Sequence, residues 1–316
     1  MSDSTLRITV VVPCYNYGHL LGETLTNLLS QSFTNWECVI VDDGSKDNTK
    51  AIADEFAKRD SRFRYIFQEN AGLSAARNTG IKHAKAEFIQ LLDADDLLSS
   101  GKFSRQLTIF DSKPNLDVVY SEVRYFYSEK PEELHFTMEG ENKPWMNGND
   151  SSNQQALKES LIKINLCAVN GPLIRKSVFD RIGNFNTKLR SVEDWEFWCR
   201  CAFQEIRFMF HNDSDSHALV RLHSNSMSRS VKGMMEAASI ARLTINNLIL
   251  EDSQFTNMEF WRKENMNELA FLHKSLFELY KKEGNKQKAS THLFSFSKIK
   301  EDYRYFIKER LKLLIS

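Results

Sequence analysis

The sequence predicts an α/β fold, in which a mostly parallel mixed sheet with helices on both faces is followed by an α-helical C-terminal extension. Between residues 8 and 92, apolar runs of strand length alternate with segments whose apolar residues recur at helical spacing. Such alternation is typical of parallel sheets, because each parallel connection needs a crossover, usually a helix. Beyond Ser230 the pattern is helical almost to the end, with breaks near 252–255 and at Gly284.

The first strand-helix units show this pattern most clearly. The β-branched run at 8–15 precedes a segment, 19–31, with leucines at helical spacing, and residues 47–58 begin with good helix-capping residues. The predicted elements are, in order, strand 8–15, helix 19–31, strand 36–41, helix 47–58, strand 62–67, helix 73–85, strand 87–92 and a helix from 101 to about 112.

The pattern is looser beyond Gly101. Residues 129–152 are polar and rich in Asn, Glu and Gly, so we expect a surface excursion there. We expect a catalytic domain at residues 1–230 and a helical subdomain at 231–316. The remaining predicted elements of the first domain are strand 117–121, helix 154–164, strand 168–174, helix 192–203 and strands 207–211 and 217–222.

Composition excludes some classes of function. The 316 residues, 41% of them hydrophobic, suit a globular protein of one large or two modest domains. Because 42 Lys and Arg balance 42 Asp and Glu, no net charge favours nucleic-acid binding. The five cysteines show no C-x-x-C spacing, which indicates reduced core residues in a cytoplasmic protein. No stretch approaches the roughly 18 apolar residues of a membrane span.

The run Asp93-Ala94-Asp95-Asp96 follows an apolar strand directly. Carboxylates at the carboxyl end of a strand in an open α/β sheet are well placed to hold Mg²⁺ or Mn²⁺ against a diphosphate. For an isolated run, an acidic loop that caps the next helix is the more common explanation. The rest of the chain favours the metal site.

A second acidic turn, Asp42-Asp43-Gly44-Ser45, ends the second predicted strand. The carboxyl ends of parallel strands meet at one edge, so we expect both acidic turns to face one crevice. A simple Asx turn is the alternative. Arg77, on the helix that follows Gly72, is expected either near an anionic ligand or on a solvated helix face.

Two further patterns indicate site residues. In the run 192–198, acids alternate with aromatics, and a carboxylate between bulky apolar groups has a raised pKa, as suits a general base. A buried helix with ordinary solvated acids explains this run equally well. Strand alternation places Arg221 and His223 on one face, where they could bind phosphate and metal. A lone exposed histidine without a role is the alternative.

Eight motifs, in order over about residues 7–230, together resemble the family 2 glycosyltransferases of the GT-A fold. The motifs are Val11-Val12-Pro13-Cys14-Tyr15-Asn16, Gln31-Ser32-Phe33, Val39-Ile40-Val41-Asp42-Asp43-Gly44-Ser45, Ala75-Ala76-Arg77-Asn78, Leu92-Asp93-Ala94-Asp95-Asp96, Gly183-Asn184-Phe185, Glu193-Asp194-Trp195 and Arg221-Leu222-His223. Each motif alone is common, but this order is very improbable by chance. The resemblance implies a Rossmann-like GT-A domain.

The resemblance also implies the binding site of a nucleoside-diphosphate sugar, with a UDP-sugar favoured. Asp43 matches the residue that contacts the base, with Asp42 beside it, and Arg77 matches a residue that faces the donor. The first loop matches the wall of the nucleoside pocket at Pro13, Tyr15 and Asn16.

The cofactor implied by the resemblance is Mn²⁺ or Mg²⁺. Asp93 and Asp95 match the D-x-D signature that meets ribose and metal, with Asp96 adjacent, and the direct ligand stays open between these three acids. His223 matches a histidine that joins the metal or the diphosphate in several relatives.

The implied reaction is an inverting glycosyl transfer. Asp194 matches the catalytic base, which takes a proton from the acceptor hydroxyl as it attacks the anomeric carbon. The expected acceptor is a saccharide or lipid-linked saccharide in cell-surface glycan synthesis. A double displacement would need a carboxylate nucleophile, and the sequence offers none beyond Glu193. The chain lacks the Gln-x-x-Arg-Trp motif and membrane spans of processive synthases.

Other functions fit the sequence less well. A sugar nucleotidyltransferase would need a glycine-rich basic loop after its first strand, but residues 13–20 contain one glycine and no Lys or Arg. A haloacid-dehalogenase-type phosphatase would carry its D-x-D at the end of the first strand. A non-catalytic nucleotide-sugar or glycan-binding module would not need Asp194 alongside the acidic cluster.

The C-terminal segment 281–312 has a basic, amphipathic pattern. It contains ten Lys or Arg against four Asp or Glu. Such a helix can lie on an anionic membrane, so we expect peripheral contact with the inner face of the membrane. A helix packed on the catalytic domain, with its lysines in water, is the alternative. The apolar residues at helical spacing are Phe296, Ile299, Tyr303, Phe306, Ile307, Leu311 and Leu314.

Overall fold

The computed structural model describes residues 6–138, 148, 151–211, 213–223 and 230–315. The strands in these residues are β1 (Ile8–Cys14), β2 (Trp36–Asp42), β3 (Phe63–Phe67), β4 (Phe88–Leu91), β5 (Leu97–Leu98), β6 (Val118–Tyr120), β7 (Val123–Tyr127), β8 (Lys130–His135), β9 (Pro172–Arg175), β10 (Phe208–Phe210) and β11 (Ala218–Leu222). The helices are α1 (Gly18–Leu29), α2 (Thr49–Arg59), α3 (Leu73–His83), α4 (Lys102–Ser112), α5 (Gln154–Lys163), α6 (Ser177–Ile182), α7 (Glu193–Phe203), α8 (Val231–Glu251), α9 (Met258–Lys282), α10 (Lys286–Lys300) and α11 (Tyr303–Ile315).

The predicted α/β fold is confirmed. In the described residues, the central sheet has the strand order β10-β6-β9-β4-β1-β2-β3, and β9 alone runs against the others. β1 pairs with β2 from Ile8 opposite Trp36 to Cys14 opposite Asp42, and with β4 on its other side. The turns that follow β2 and β4 therefore emerge at the same edge of the sheet, on either side of β1.

Helices cover both faces of this sheet, as the continuous apolar runs indicate. On one face, Cys38 and Ile40 of β2 belong to the main core, which also contains Leu25 of α1. The alternate residues of β2, Val39 and Val41, pack against α3 on the other face. Burial on both sides explains why β1 and β2 are buried along their whole length.

A second sheet, ordered β5-β11-β7-β8, lies beside the acidic turn that follows β4. The segment 129–152, expected to be a surface excursion, includes a strand that was not predicted, β8 (Lys130–His135). Residues 139–147, 149 and 150 of that excursion lie outside the described part of the chain. An edge strand has one neighbour and its side chains here are mostly exposed, so its polar sequence gave no strand signal.

Two other expectations need correction. The strand expected from residue 168 begins only at Pro172, and residues 168–171 form a turn that is closed by the hydrogen bond from Gly171 N to Ala168 O. The basic C-terminal segment is not one helix, because the chain breaks at Glu301 (φ 54°) between α10 and α11, as well as at the expected glycine, Gly284.

The C-terminal helices divide between two hydrophobic cores. Residues of α8, among them Ile245, and Trp261 of α9 belong to the main core of the sheet domain. The distal ends form a second core, whose buried members are Leu276, Phe277, Tyr280, Ala289, Leu293 and Leu313. The domain division at residue 230 stays a prediction. All five cysteines are buried and unbridged. Each helix of the described residues is too short or too polar to cross a bilayer.

Two helix glycines give a test of the packing between α3 and the sheet. A Cβ at Gly80 of α3 would lie 2.2 Å from Cγ1 of Val11, whereas one at Gly22 of α1 would lie 3.8 Å from Ile52. We expect Gly80→Ala to lower the free energy of unfolding by about 1–3 kcal/mol through overpacking. Gly22→Ala should raise it by about 0.4–1 kcal/mol. Urea denaturation of both variants measures the difference, and equal effects would contradict this packing.

Candidate active site

The carboxylate of Asp42 is part of the turn that ends β2. It is buried, and its two oxygens accept hydrogen bonds from the Ser45 backbone N–H and from the Tyr65 hydroxyl, both at 2.8 Å. The alternative explanation of this run, an Asx-type turn, therefore describes the local contacts of Asp42. Asp42 therefore stabilises the conformation of the turn through hydrogen bonds within the protein.

The neighbouring carboxylate, Asp43, holds the segment before α3. One oxygen accepts hydrogen bonds from Gln68 Nε2 at 2.7 Å and from the Ala71 backbone N–H at 2.9 Å, and the other accepts from the Gly72 N–H at 2.8 Å. Gly72 has a φ of 92°, which favours glycine at this point. Asp43 thus fixes the place where α3 begins at the carboxyl edge of the sheet.

The first loop is fastened to the same turn. The backbone N–H of Asn16 donates to Ser45 Oγ at 2.9 Å, and Asn16 Oδ1 accepts from the Lys46 N–H at 2.8 Å. Pro13 is buried within β1, whereas the side chain of Tyr15 is 46% exposed. Of the three predicted residues of this loop, Tyr15 and Asn16 are therefore the exposed ones.

The three acids that follow β4 have different surroundings. Asp96 is buried, with one oxygen accepting from the Arg221 backbone N–H at 2.8 Å and the other from Asn170 Nδ2. Burial, with repulsion from Asp95 and Asp93, raises the pKa of Asp96 well above its usual value. Both Asp96 oxygens are thus engaged by the protein, and this residue ties the acidic turn to β11.

Asp95 instead meets His223, at 2.9 Å between Oδ2 and Nε2. Both side chains keep 19% of their surface exposed. The Arg221 side chain supports the pair, because its Nε donates to the backbone oxygen of Asp95 at 2.8 Å. Burial and the charge of Asp93 raise the pKa of Asp95. The expected convergence of Arg221 and His223 on one face brings both to the acidic turn.

Arg77 is fully buried, so the alternative of a solvated helix face is excluded. One end of its guanidinium donates to Asp93 Oδ1 at 2.7 Å, and the other end is paired with Glu193. Burial alone would lower the pKa of Arg77. The two carboxylates raise this pKa by more than burial lowers it, so the guanidinium stays charged. Arg77 therefore joins the acidic turn to the first turn of α7.

The three acids of α7 have three different partners. Glu193 pairs with Arg77, and Glu196 pairs with Arg200 at 3.0 Å. Asp194 Oδ2 accepts a hydrogen bond from Asn165 Nδ2 at 3.1 Å. Burial and the charge of Glu193 raise the pKa of Asp194 to about 7, and its side chain remains partly exposed. Asp194 is thus the one acid of this helix that is neither ion-paired nor fully buried.

Sequence reasoning missed several neutral residues of this site. Tyr17 lies near the acidic turn, where burial and the charges of Asp95, Asp93 and Asp96 raise its pKa to about 12. Its ring centroid is 5.8 Å from that of His223. Asn165 and Asn170, which bind two of the acids, were also missed. Single neutral polar residues leave no periodic or charge pattern that could have identified them.

A divalent metal ion fits one pair of residues in this site. No group of three or more His, Cys, Asp or Glu side chains in the described residues is arranged to hold a metal. Asp95 and His223 nonetheless present an oxygen and a nitrogen donor side by side. Ions that act on phosphates are commonly held by one or two protein groups, with phosphates and water completing the shell. The donor pair is compatible with this arrangement.

Comparison with solved structures supports the fold. TarS 1–349 of S. aureus, in complex with UDP, matches with a TM-score of 0.68 at 17% identity, over 97% of this chain and 90% of that one. The mannosyltransferase PcManGT of Pyrobaculum calidifontis, in complex with GDP-Man and Mn²⁺, matches with a TM-score of 0.57 at 17% identity, over 99% of this chain and 88% of that one.

Curated relatives match over shorter stretches. The E. coli protein WfgD, a UDP-Glc:alpha-D-GlcNAc-diphosphoundecaprenol beta-1,3-glucosyltransferase, is 35% identical over 114 residues, which are 36% of this chain and 44% of WfgD. Matches to glycosyltransferases of Bacillus subtilis, Rickettsia typhi and Streptococcus pneumoniae span 32%, 57% and 13% of those proteins. The chain thus spans less than two thirds of the length of these relatives.

The family model described as Glycosyl transferase family 2 matches residues 9–183, more than half of the chain. This range contains the first loop, both acidic turns and Arg77. The order of motifs read from the sequence leads to the same assignment, and the sheet topology agrees with the fold of the solved structures. The chain belongs to glycosyl transferase family 2.

Proposed function

We propose that this protein is an inverting, metal-dependent glycosyltransferase that moves a sugar from a nucleoside-diphosphate sugar to a hydroxyl of a saccharide or lipid-linked saccharide. One observation carries the proposal: buried Arg77 contacts both Asp93 of the acidic turn and Glu193, the neighbour of Asp194. Arg77 therefore joins the turn that carries the candidate cation site to the helix that carries the candidate base, as transfer from a diphosphate requires.

The nucleoside pocket of the proposal lies between the first loop and the turn after β2. Asp43 already accepts three hydrogen bonds from the segment 68–72. A carboxylate has about four acceptor positions, so Asp43 retains capacity for one more donor, such as a base N–H. Tyr15 and Asn16 complete this side of the crevice, and the likeness to a UDP-bound neighbour supports a nucleotide there.

For the cation we propose Asp95 and His223 as the protein ligands. Both oxygens of Asp96 bind groups of the protein, and one oxygen of Asp93 binds Arg77, which leaves Asp95 as the acid best placed to serve. The Mn²⁺ in the PcManGT structure supports a divalent ion in this fold. When bound, such an ion would offset the negative charge that develops on the departing nucleoside diphosphate.

Asp194 is the proposed general base. It takes the proton of the acceptor hydroxyl while that oxygen bonds to the anomeric carbon and the bond to the diphosphate oxygen breaks on the opposite face. The product therefore has inverted configuration, which NMR of the new linkage measures. A pKa near 7 keeps much of the carboxylate ionised at neutral pH while it remains basic enough to accept a proton.

The acceptor side of the proposal includes contact with a membrane. WfgD acts on a diphosphoundecaprenol-linked sugar, which supports a lipid-linked acceptor here. On α11, Tyr303, Ile307 and Leu311 recur every four residues and are 53%, 58% and 54% exposed. The exposed basic side chains next to these apolar residues are those of Arg304, Lys308, Arg310 and Lys312. With this pattern, α11 is suited to bind the inner, cytoplasmic face of an anionic membrane.

Asp95→Asn tests the cation site. Incubated with a panel of UDP- and GDP-sugars and Mn²⁺, the wild type should release nucleoside diphosphate, and EDTA should stop the release. We expect the variant to lose about 100-fold or more in rate and to bind Mn²⁺ more weakly in calorimetry, because a ligand oxygen becomes an amide. Asp111→Asn is the control, since Asp111 pairs with Arg7 at the opposite edge of the sheet. Wild-type rate and Mn²⁺ affinity in Asp95→Asn would contradict the assignment.

Asp194→Asn tests the base. The amide cannot accept the proton, so kcat should fall about 10²–10⁴-fold while UDP affinity is unchanged. In the wild type, kcat/KM should rise as pH rises through about 7, because Asp194 must lose its proton to act. This rise is the acid limb of the pH profile. Glu196→Gln, on the same helix, should leave the acid limb in place. Retention of full kcat by Asp194→Asn would exclude its role as base.

Flotation with liposomes tests the membrane contact. Wild-type protein should float with anionic vesicles more than with neutral ones. The full-length double variant Ile307→Glu, Leu311→Glu should reduce the bound fraction by about tenfold or more, since two apolar side chains no longer enter the interface. The control is Leu243→Glu, Leu250→Glu on α8, where both leucines are also about half exposed (50% and 48%). Equal flotation of both double variants would remove the proposal.

A further inference from the structure

A short segment between α5 and β9, residues 165–171, is held from several sides, and we call it the bridging segment. Its backbone oxygens accept hydrogen bonds from buried side chains: Cys167 O from Trp198 at 3.1 Å, Asn170 O from Gln90 at 2.8 Å and Gly171 O from Lys102 at 2.6 Å. Donors from α7, β4 and α4 thus fix a stretch that has no strand or helix geometry of its own.

Lys102 shows how strongly this segment is fixed. Its side chain is fully buried, and its Nζ donates to Gly171 O and to Gln106 Oε1, at 2.6 and 3.1 Å. Lysine is rarely buried unless it is well paired, because removing an ammonium group from water is costly. Gln106 also donates to Gly171 O, at 3.0 Å. Two side chains of α4 therefore converge on one carbonyl oxygen of the bridging segment.

The two ends of the bridging segment contact the two halves of the proposed active site. At one end, Asn165 Nδ2 donates to Asp194 Oδ2 at 3.1 Å. At the other, Asn170 Nδ2 donates to Asp96 Oδ2. A segment of seven residues with a fixed backbone thus sets where the candidate base lies relative to the acidic turn.

We propose that Asn165 is a positioning residue for Asp194, holding the carboxylate toward the crevice and favouring its ionised form. This inference rests on the proposed function, because it assigns Asn165 a role in the same transfer. An amide is suited to this task, since it donates a hydrogen bond without adding a charge. The hydrogen bond stabilises the carboxylate more than the carboxylic acid.

The charged groups around Asp194 act on it through their charge, whereas the Asn165 side chain donates a hydrogen bond to it. Glu193, on the same helix, repels a negative charge on Asp194, and Arg77 of α3 attracts it. Arg77 is itself shared between Asp93 and Glu193. Cys167 of the bridging segment is also nearby, but burial raises the pKa of its thiol well above its usual value, so it stays neutral. Asn165 is thus the neutral side-chain donor that binds this carboxylate directly.

The test is the pH dependence of kcat/KM in variants of the full-length protein. Asn165→Ala removes the donor and should move the acid limb upward by about one pH unit, the size of one hydrogen bond to a charged group. Asn165→Asp has the same shape but adds a negative charge, so its limb should move further in the same direction. Asn165→Gln keeps an amide and should lie nearest the wild type. Affinity for UDP should be unchanged in all three.

Asn153→Ala is the matched control. Asn153 caps the other end of α5 through its side chain, so its loss should lower the melting temperature and leave the acid limb in place. If the Asn165 variants lose activity equally at every pH, or keep the limb at its wild-type position, the inference is overturned. If the wild type shows no transfer or donor hydrolysis at any pH, the proposed function fails instead.

Discussion

The buried guanidinium of Arg77 is the interaction on which the site depends. It lies between Asp93, which follows β4, and Glu193, which begins α7, and these two carboxylates are far apart in the chain. Breaking a buried ion pair by removing one partner commonly costs about 3–5 kcal/mol, because a charge is left without compensation. Removal of any member of this contact would therefore destabilise the fold, and the contact also sets the spacing between the acidic turn and the helix that carries Asp194. Stability and site geometry thus depend on the same side chain.

Around this contact, acids of the same type acquire different properties from their partners. Asp96 has two protein donors and a raised pKa, so it serves the structure of the acidic turn. Asp95 faces an imidazole, and Asp194 accepts from the Asn165 side chain and from the Trp195 backbone N–H in a largely buried position. Hydrogen bonds favour the charged form of a carboxylate, whereas burial and like charges oppose it. The different roles of these acids are therefore set by their surroundings rather than by residue type.

The sequence predicts the fold well where burial dictates composition. β1 and β2 are covered on both faces, so they read as continuous apolar runs, and the acids that follow β2 and β4 could be placed at one edge. β8 was missed because an exposed edge strand needs no apolar residues. The distinction between Asp95 and Asp96 was also out of reach. It depends on Asn170 and Arg221, which are 74 and 125 residues away along the chain.

Burial also explains the apolar pattern of the C-terminal helices. Ile245 of α8 and Trp261 of α9 complete the main core, so this part of the predicted helical subdomain supports the sheet domain directly. The distal helices rely on a smaller core of their own, where Phe306 packs near Phe294, with ring centroids 5.7 Å apart. Part of the apolar pattern in 281–312 is therefore explained by internal packing. The apolar residues of α11 that remain exposed, such as Ile307, are still available to a membrane, and their small number means that attachment through them must be weak and reversible.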